Sequence, residues 1–133
     1  ILIDIDKFKN VNDTFGHIAG DTVLIELSQR LMKRVRTTDY VCRYGGEEIT
    51  IILVETDITA AEVIAKELRL LIEEEPFLIQ GGQQISISVS IGVSEYGEDG
   101  KDAQTIFANA DTALYEAKNS GRNRVCIFNK SNT

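Results

Sequence analysis

The sequence is poor in the residues that build disulfide frameworks, zinc sites and membrane spans. Its 133 residues include two cysteines, Cys42 and Cys126, one histidine, one proline and no tryptophan. Two distant cysteines do not form a disulfide framework, and together with one histidine they do not supply a structural zinc site. No apolar run approaches the roughly 20 residues that cross a bilayer, and no signal-peptide pattern is present. The composition therefore predicts a cytoplasmic globular protein without direct membrane contact.

Positive charge is also scarce. Fourteen Lys and Arg residues face 21 Asp and Glu residues, which gives a formal net charge of −7. Binding along a nucleic-acid backbone needs clustered cations, so we expect no nucleic-acid partner. An anionic ligand must instead be held locally, by a few cations or by a metal. The length fits a single domain over residues 1–133, and 43% apolar residues suffice for an ordinary core.

Apolar periodicity predicts an α+β domain. Helices are expected from near Asp21, from Thr59, where Glu62 completes a capping box, and from the N-cap residue Asp102. Strand patterns cover residues 1–6, 40–44, 49–54, 85–93 and 124–128, with hairpin tips at 45–48 and 80–83 and a polar tail over 129–133. The order β-α-β-β-α-β, followed by an extra helix and strand, indicates helices on a central, largely antiparallel sheet with a ferredoxin-like core.

The first strand ends in two acids, Asp4 and Asp6. Residues two apart on a strand leave the same face, so both carboxylates point to one side of the chain. Burying them beside an apolar run is costly unless a cation or hydrogen bonds compensate. From this pair alone, a ligand site and a cap for the helical turn from Lys7 onward both remain open.

A Gly-Gly hairpin carries two more acids, Glu47 and Glu48. The preceding Gly45 and Gly46 accept positive φ and let backbone come close to a bulky ligand such as a triphosphate. If the hairpin lies beside the first strand, Asp4 and Glu47 can hold Mg²⁺ together, because that ion prefers one or two carboxylates plus phosphate oxygens. The alternative is a pair of solvated acids at a hairpin tip.

The remaining polar candidates suit a nucleotide. Lys118 and Arg122 lie four residues apart at the end of the last helix, where cations are favourable in any protein. Asn12 and Asp21 offer the acceptors and donors that read a base edge, although a turn residue and an N-cap explain them equally well.

Four blocks of the sequence together resemble the GGDEF-domain diguanylate cyclases, in the order and spacing of that family and over nearly the whole chain. The blocks are Asp4-Ile5-Asp6-Lys7-Phe8-Lys9 continuing to Gly20-Asp21, Arg43-Tyr44-Gly45-Gly46-Glu47-Glu48, Ser88-Val89-Ser90-Ile91-Gly92-Val93, and Ala110-Asp111 continuing to Gly121-Arg122-Asn123. The resemblance implies a polymerase-palm-like fold and the condensation of two GTP into cyclic di-GMP and two pyrophosphates. It also implies a transient homodimer, in which each 3′-hydroxyl attacks the other nucleotide's α-phosphate.

The same resemblance implies a role for each matching residue. Asp4, the Ile5 carbonyl and Glu47 would bind Mg²⁺, or Mn²⁺ in its place, and Glu47 would help to deprotonate the hydroxyl. Lys9 would offset charge in the transition state. Asn12 and Asp21 would bind guanine, and Lys118 and Arg122 the terminal phosphates. The further substrate-binding residues would be Phe8, His17, Gly45 and Gly46.

An R-x-x-D motif, Arg36 to Asp39, lies before the hairpin at the spacing of the family's product-inhibition site. Arg36 would pair with a guanine edge or phosphate of cyclic di-GMP, and Asp39 with guanine nitrogens. An ordinary ion pair at a helix end is the alternative. Glu67 stands where the family often places a supporting arginine, with Arg69 two positions further on.

Two departures from the family pattern set the remaining expectations. Ile49 replaces the usual Phe of the signature hairpin, an apolar exchange that changes packing more than chemistry. The chain also opens inside a strand, without the preceding helix and D-x-L-T-G-like turn of the family, so we expect a domain that lacks its N-terminal segment. The leading prediction is an active cyclase. The alternative is a catalytically weak module that senses GTP or cyclic di-GMP.

Overall fold

The computed structural model describes residues 1–129. A five-stranded sheet has the order β2-β3-β1-β6-β7, in which only β6 and β7 run parallel, and β4 and β5 form a separate hairpin. The elements in chain order are β1 Leu2–Ile5, α1 Phe8–Phe15, α2 His17–Arg34, β2 Tyr40–Arg43, β3 Glu48–Ile52, α3 Ile58–Glu74, β4 Phe77–Leu78, β5 Gln84–Ile85, β6 Val89–Val93, α4 Ala103–Asn119 and β7 Val125–Ile127. The expected α+β fold with a largely antiparallel sheet is confirmed.

Alternation along β1 divides the molecule into two layers. Ile3 and Ile5 enter the main core with the buried faces of α2 and α3, whereas Leu2 packs with Ala110 and Leu114 of α4 on the other side of the sheet. Asp4 shares the α4 side with Leu2, because residues two apart on a strand face the same way. The alternation along β1 therefore places the Asp4 carboxylate in the layer between the sheet and α4.

The hairpin residue Ile49 faces the main core. It lies opposite Ile3 in the register of β1 and β3 and is 1% exposed. This supports the expectation that exchanging an aromatic residue for isoleucine here affects packing, since the side chain points away from the acids of the hairpin.

The alternating stretch 85–93 is not one strand, contrary to the sequence-based expectation. It divides into β5, which pairs only with β4, and β6, which lies between β1 and β7. All five residues of β6 are buried, because helices cover both faces of the central sheet. Gly92 faces α4: a Cβ built on it would lie 2.2 Å from the Ala110 carbonyl oxygen and 2.4 Å from the Leu114 nitrogen. The absence of a side chain at Gly92 thus allows direct contact between strand and helix backbones.

The segment between β1 and α2 also differs from expectation. A full helix, α1, replaces the short turn, and α2 begins at His17 rather than near Asp21. Gly16 separates the two helices with φ +93°, a conformation that other residues adopt only with strain. Asp21 consequently lies inside α2, so its interpretation as an N-cap is wrong.

The N-cap predicted from the sequence is confirmed for α4 and is wrong for α3. The Asp102 carboxylate accepts a hydrogen bond from the Thr105 nitrogen at 2.7 Å, as expected of an N-cap. In α3, Asp57 rather than Thr59 is the N-cap, and it accepts from the Ala60 nitrogen at 2.8 Å. The Ile58 nitrogen donates to a carboxylate oxygen of Glu95 from a distant loop, a contact that local sequence does not encode.

No helix within residues 1–129 is long and apolar enough to cross a membrane. The polar tail predicted over 129–133 lies, apart from Asn129, outside the described residues.

Candidate functional site

The Gly-Gly hairpin forms between β2 and β3, as the sequence predicts. Gly45 and Gly46 have φ of +91° and +50°, and the turn is closed by hydrogen bonds from the Tyr44 nitrogen to the Glu48 oxygen and from the Glu48 nitrogen to the Gly45 oxygen, at 2.9 and 3.0 Å. Glu48 then lies directly opposite Asp4 in the antiparallel register of β1 and β3. Strand pairing therefore brings the acids of two distant sequence blocks to one place.

Asp4 is a buried carboxylate with an incomplete set of partners. Its residue is 6% exposed, and one oxygen, Oδ2, forms an ion pair with the ammonium group of Lys118. The other oxygen, Oδ1, is buried and has no hydrogen-bond partner within residues 1–129. Burial raises the pKa of Asp4 above its usual value; Lys118 opposes this shift, and the negative charges of Glu47 and Asp6 add to it.

Glu48 belongs to the same electrostatic group. Burial raises its pKa, and the nearby charge of Asp4 raises it further, while Lys118 lowers it and Asp111 and Glu47 add smaller repulsions. Crowded carboxylates with elevated pKa values favour the approach of a cation.

These acids fit a divalent cation that shares its coordination with a ligand. The unpaired Oδ1 of Asp4 is a free acceptor in a buried position, and Glu47 supplies a second carboxylate with no hydrogen bond within residues 1–129. Among those residues, no group of three or more Asp, Glu, His or Cys side chains forms a complete metal cage. Such a donor set suits Mg²⁺ or Mn²⁺, which keep several positions for water and phosphate oxygens.

A second group of predicted residues lies where α1 meets α2. Gly20 of α2 is so close to α1 that a Cβ there would lie 2.0 Å from Oδ1 of Asn12 and 3.1 Å from Phe8. The absence of a side chain at Gly20 thereby leaves room for the Asn12 amide between the helices. Asp21, the next residue, is exposed on α2, and its carboxylate makes no hydrogen bond within residues 1–129. The structure thus brings the two base-reading candidates to one inter-helix junction.

The candidate cations divide between two places. Lys118 of α4 is engaged with Asp4, whereas Arg122 lies beyond the end of the helix, in a loop with φ +63°. The Arg122 side chain makes no ion pair within residues 1–129 and lines a pocket of about 430 Å³ together with Lys7. Lys9 and His17 are exposed on α1 and α2. The structure therefore does not bring Lys118 and Arg122 to one common partner.

The R-x-x-D motif forms a compact hydrogen-bonded unit. Arg36 donates to both carboxylate oxygens of Asp39, at 3.3 and 3.1 Å, and to the Thr56 hydroxyl at 3.0 Å, while the Val54 nitrogen donates to Asp39 at 3.0 Å. Although burial by itself acts to raise it, the pKa of Asp39 is lowered by these hydrogen bonds from Arg36 and Val54. The ion pair that the sequence offered as an alternative is therefore present.

A pocket of about 350 Å³ adjoins this unit. Its lining includes Arg34, Arg36, Asp39 and Asp57. Arg34 forms an ion pair with Glu67 of α3. An ion pair inside the motif and an adjacent pocket coexist, so the first does not exclude a ligand site.

The sequence analysis missed the contacts of Asp6 and the proximity of Asp111 to Glu48. The carboxylate of Asp6 does not cap α1, whose first residues receive no side-chain cap; it accepts hydrogen bonds from Ser88, Ser90 and the Asn123 nitrogen. The signal was present as serines in the β6 block and Asn123 in the last block. Only the strand order reveals that these residues meet at the end of β1.

The fold and site define a palm-like α+β domain with a Gly-Gly-Glu-Glu hairpin beside a buried aspartate. The family model described as "Diguanylate cyclase, GGDEF domain" matches residues 1–124. The chain belongs to this GGDEF family. Diguanylate cyclase A of Treponema denticola is 45% identical to it over 127 residues, which cover 96% of this chain and 34% of that protein. The chain thus spans about a third of that curated relative.

Solved structures agree with this assignment. The GGDEF domain of YfiN from Pseudomonas aeruginosa has a TM-score of 0.93 at 32% identity, covering 96% of this chain and 80% of that one. The GGDEF domain of DgcB from Caulobacter crescentus, solved in complex with c-di-GMP, has a TM-score of 0.88 at 30% identity, covering 95% and 74%. The palm-like fold expected from the sequence is consistent with these structures.

Proposed function

We propose that this chain is a single catalytic domain that condenses two GTP into cyclic di-GMP and two pyrophosphates, in the cytoplasm and as a transient homodimer. The observation that carries the proposal is the buried Asp4 with an unpaired oxygen, set opposite the Gly-Gly-Glu-Glu hairpin. Membership of the GGDEF family and a neighbour solved with c-di-GMP support the nucleotide chemistry.

The chemistry is a displacement at phosphorus, in which positioning and charge neutralisation do most of the work. A bond forms between a 3′-oxygen and the α-phosphorus of the facing nucleotide, the bond to the pyrophosphate oxygen breaks, and Glu47 accepts the hydroxyl proton. Asp4, the Ile5 carbonyl and Glu47 would hold Mg²⁺ or Mn²⁺, which neutralises phosphate charge when bound. Lys9, Lys118 and Arg122 supply the remaining positive charge, and Phe8, His17, Gly45 and Gly46 border the nucleotide.

A turnover assay tests this proposal. The purified protein is incubated with GTP and Mg²⁺ over a range of protein concentrations, and cyclic di-GMP and pyrophosphate are quantified. We expect one cyclic di-GMP per two pyrophosphates, with a yield per protein that rises with protein concentration because two copies must meet. Binding of GTP or cyclic di-GMP without any product would instead identify a sensor module, the alternative function.

Base selection is proposed to depend on Asp21 with Asn12. An exposed carboxylate without a protein partner is available to accept hydrogen bonds from guanine, which adenine cannot donate in the same pattern. We expect Asp21→Ser to reduce the preference for GTP over ATP by about ten-fold in kcat/KM. The comparison uses both nucleotides with the same protein, and Asp13→Ser, an exposed aspartate on α1, is the control. Unchanged selectivity in Asp21→Ser would mean that another group reads the base.

Product inhibition is proposed to act through the R-x-x-D unit and its pocket. We expect Arg36→Ala to raise the cyclic di-GMP concentration for half-inhibition by at least about ten-fold while leaving the initial rate unchanged. The guanidinium contacts Val54 and Thr56, which follow the end of β3 opposite to the Gly-Gly hairpin. The variant also loses bonds to Asp39 and Thr56, so thermal unfolding is measured alongside. Lys33→Ala removes a neighbouring exposed cation and serves as the control. Inhibition at an unchanged product concentration would assign Arg36 a structural role only.

A further inference from the structure

We infer that Asp6 is a positioning residue, which fixes the loop that carries Arg122 and thereby the guanidinium proposed to hold the terminal phosphates. The inference rests on that proposed role of Arg122. It concerns an acid of the first sequence block to which neither metal binding nor base recognition assigns a function.

Asp6 joins three separate parts of the chain. It follows β1 directly, and its carboxylate accepts from the Ser88 hydroxyl at 2.7 Å, the Ser90 hydroxyl at 2.6 Å and the Asn123 backbone nitrogen at 2.9 Å. A carboxylate is an acceptor-only group, and these bonds use both of its oxygens on neutral donors. Asp6 therefore ties the end of β1 to β6 and to the loop between α4 and β7.

That loop has an unfavourable backbone and needs to be held. Arg122 and Asn123 are consecutive residues with positive φ, +63° and +46°, and each costs of order 1 kcal/mol relative to an ordinary conformation. The Asn123 side chain is anchored from the opposite direction, because its oxygen accepts from Arg69 of α3 at 2.9 Å and its nitrogen donates to Glu73. Asp6 fixes the backbone of Asn123 while α3 fixes its side chain.

Arg122 itself is free to bind a ligand. Its backbone is fixed between the Asn123 contact and a hydrogen bond from its own nitrogen to the Ala117 oxygen at 3.0 Å. Its side chain projects without an ion-pair partner within residues 1–129 and lines the 430 Å³ pocket beside Lys7 and Asp6. The Arg122 carbonyl oxygen also accepts a hydrogen bond from Arg124 Nε at 3.1 Å. Three hydrogen bonds thus hold the backbone around a cation that has no ion-pair partner within residues 1–129.

Charge distinguishes positioning from direct participation. A carboxylate next to a phosphate site repels phosphate, so the benefit of Asp6 must come from the contacts it makes. Asparagine preserves the size of the group and keeps one acceptor for Asn123, since serine hydroxyls can reverse to accept from its amide. Alanine removes every contact. The two substitutions at Asp6 should therefore have very different effects.

The test is a double-mutant cycle on nucleotide binding, measured calorimetrically with the α,β-methylene analogue of GTP and Mg²⁺. We expect Asp6→Ala and Arg122→Ala each to weaken binding by about ten-fold. Asp6→Asn should stay within about three-fold of the unsubstituted protein. Because Asp6 acts through Arg122, adding Asp6→Ala to Arg122→Ala should change the affinity by less than about two-fold. If Asp6→Ala does not fold, the same cycle is run with Asp6→Ser, which is too short to keep all three contacts.

Several results would overturn the inference. Additive losses in the double variant would show that Asp6 supports binding independently of Arg122. Loss in Asp6→Asn equal to that in Asp6→Ala, together with weaker Mn²⁺ binding in both, would make Asp6 a metal ligand. If Arg122→Ala alone leaves nucleotide affinity unchanged, the proposed phosphate role of Arg122 fails as well. A loss in Arg122→Ala with additive effects refutes only the positioning role.

Discussion

Glu47→Gln is expected to lower the rate of cyclic di-GMP formation by at least about 100-fold, the scale on which removal of one transition-state charge contact acts. The substitution keeps size and shape but removes the negative charge beside Asp4 and the group proposed to accept the hydroxyl proton. The Glu47 side chain makes no hydrogen bond within residues 1–129, so the free energy of unfolding should remain within about 0.5 kcal/mol.

The measurement combines turnover with binding. GTP-analogue binding in the presence of Mg²⁺ should weaken together with the rate, because the same carboxylate is proposed to hold the ion. Glu98→Gln changes an exposed glutamate in a distant loop and should leave both quantities unchanged. A Glu47→Gln protein that turns over normally would remove this residue from the mechanism and would leave Asp4 and Glu48 as the acids to examine.

Gly92→Ala is expected to destabilise the fold by about 3 kcal/mol, at the upper end of ordinary overpacking. The backbone of Gly92 is extended, so alanine can adopt the same conformation without strain. The cost is steric: the new Cβ would lie 2.2 Å from the Ala110 oxygen, 2.4 Å from the Leu114 nitrogen and 2.8 Å from its Cα. These are backbone atoms of α4, which cannot move aside as a flexible side chain can. The helix must instead shift away from the sheet.

Denaturant unfolding measures this effect, with Gly81→Ala as the matched control. Gly81 lies in open space with φ +78°, so alanine there meets no atoms and carries only a conformational cost of about 1 kcal/mol. The two substitutions separate packing from backbone strain. Equal losses at both positions, or a tolerated alanine at Gly92, would mean that α4 can move away from β6 freely. Because α4 carries Lys118, we expect Gly92→Ala to weaken nucleotide binding as well.

The sequence predicted those features whose causes are local. The Gly45–Glu48 hairpin follows from paired glycines, the start of α4 from the Asp102 cap, and β1 from a short apolar run, and all three are confirmed. Of the errors, the one over residues 85–93 occurred where pairing with a distant strand decides; the helix α1 and the N-cap Asp57 were also missed. Residues 85–93 contribute to two separate strands because β6 pairs with β1 and β7, whereas β5 pairs with β4.

The site shows the same division. Residue types and spacing alone selected Asp4, Glu47, Asn12 and Lys118 as candidates, since carboxylates, an amide and an ammonium group carry their chemistry in any setting. Because these residues are far apart in sequence, purely structural roles such as helix caps or solvated surface charges remained possible for each of them. The pairing of Asp4 with Glu48 across β1 and β3 and the burial of one unpaired oxygen come from tertiary structure.

By itself, the sequence determined several of the local elements, the acidic and cationic groups and the family to which the chain belongs, because these depend on residue identity and short-range spacing. Only the tertiary structure decided which groups share an environment. Strand order brings Asp6 into hydrogen-bonding contact with Ser88, Ser90 and Asn123. The close approach of α4 to Gly92 places Lys118 beside Asp4, where the two form an ion pair. The physical reason is that pKa values, ion pairs and packing clashes depend on distances through space, and these distances are set only when the chain folds.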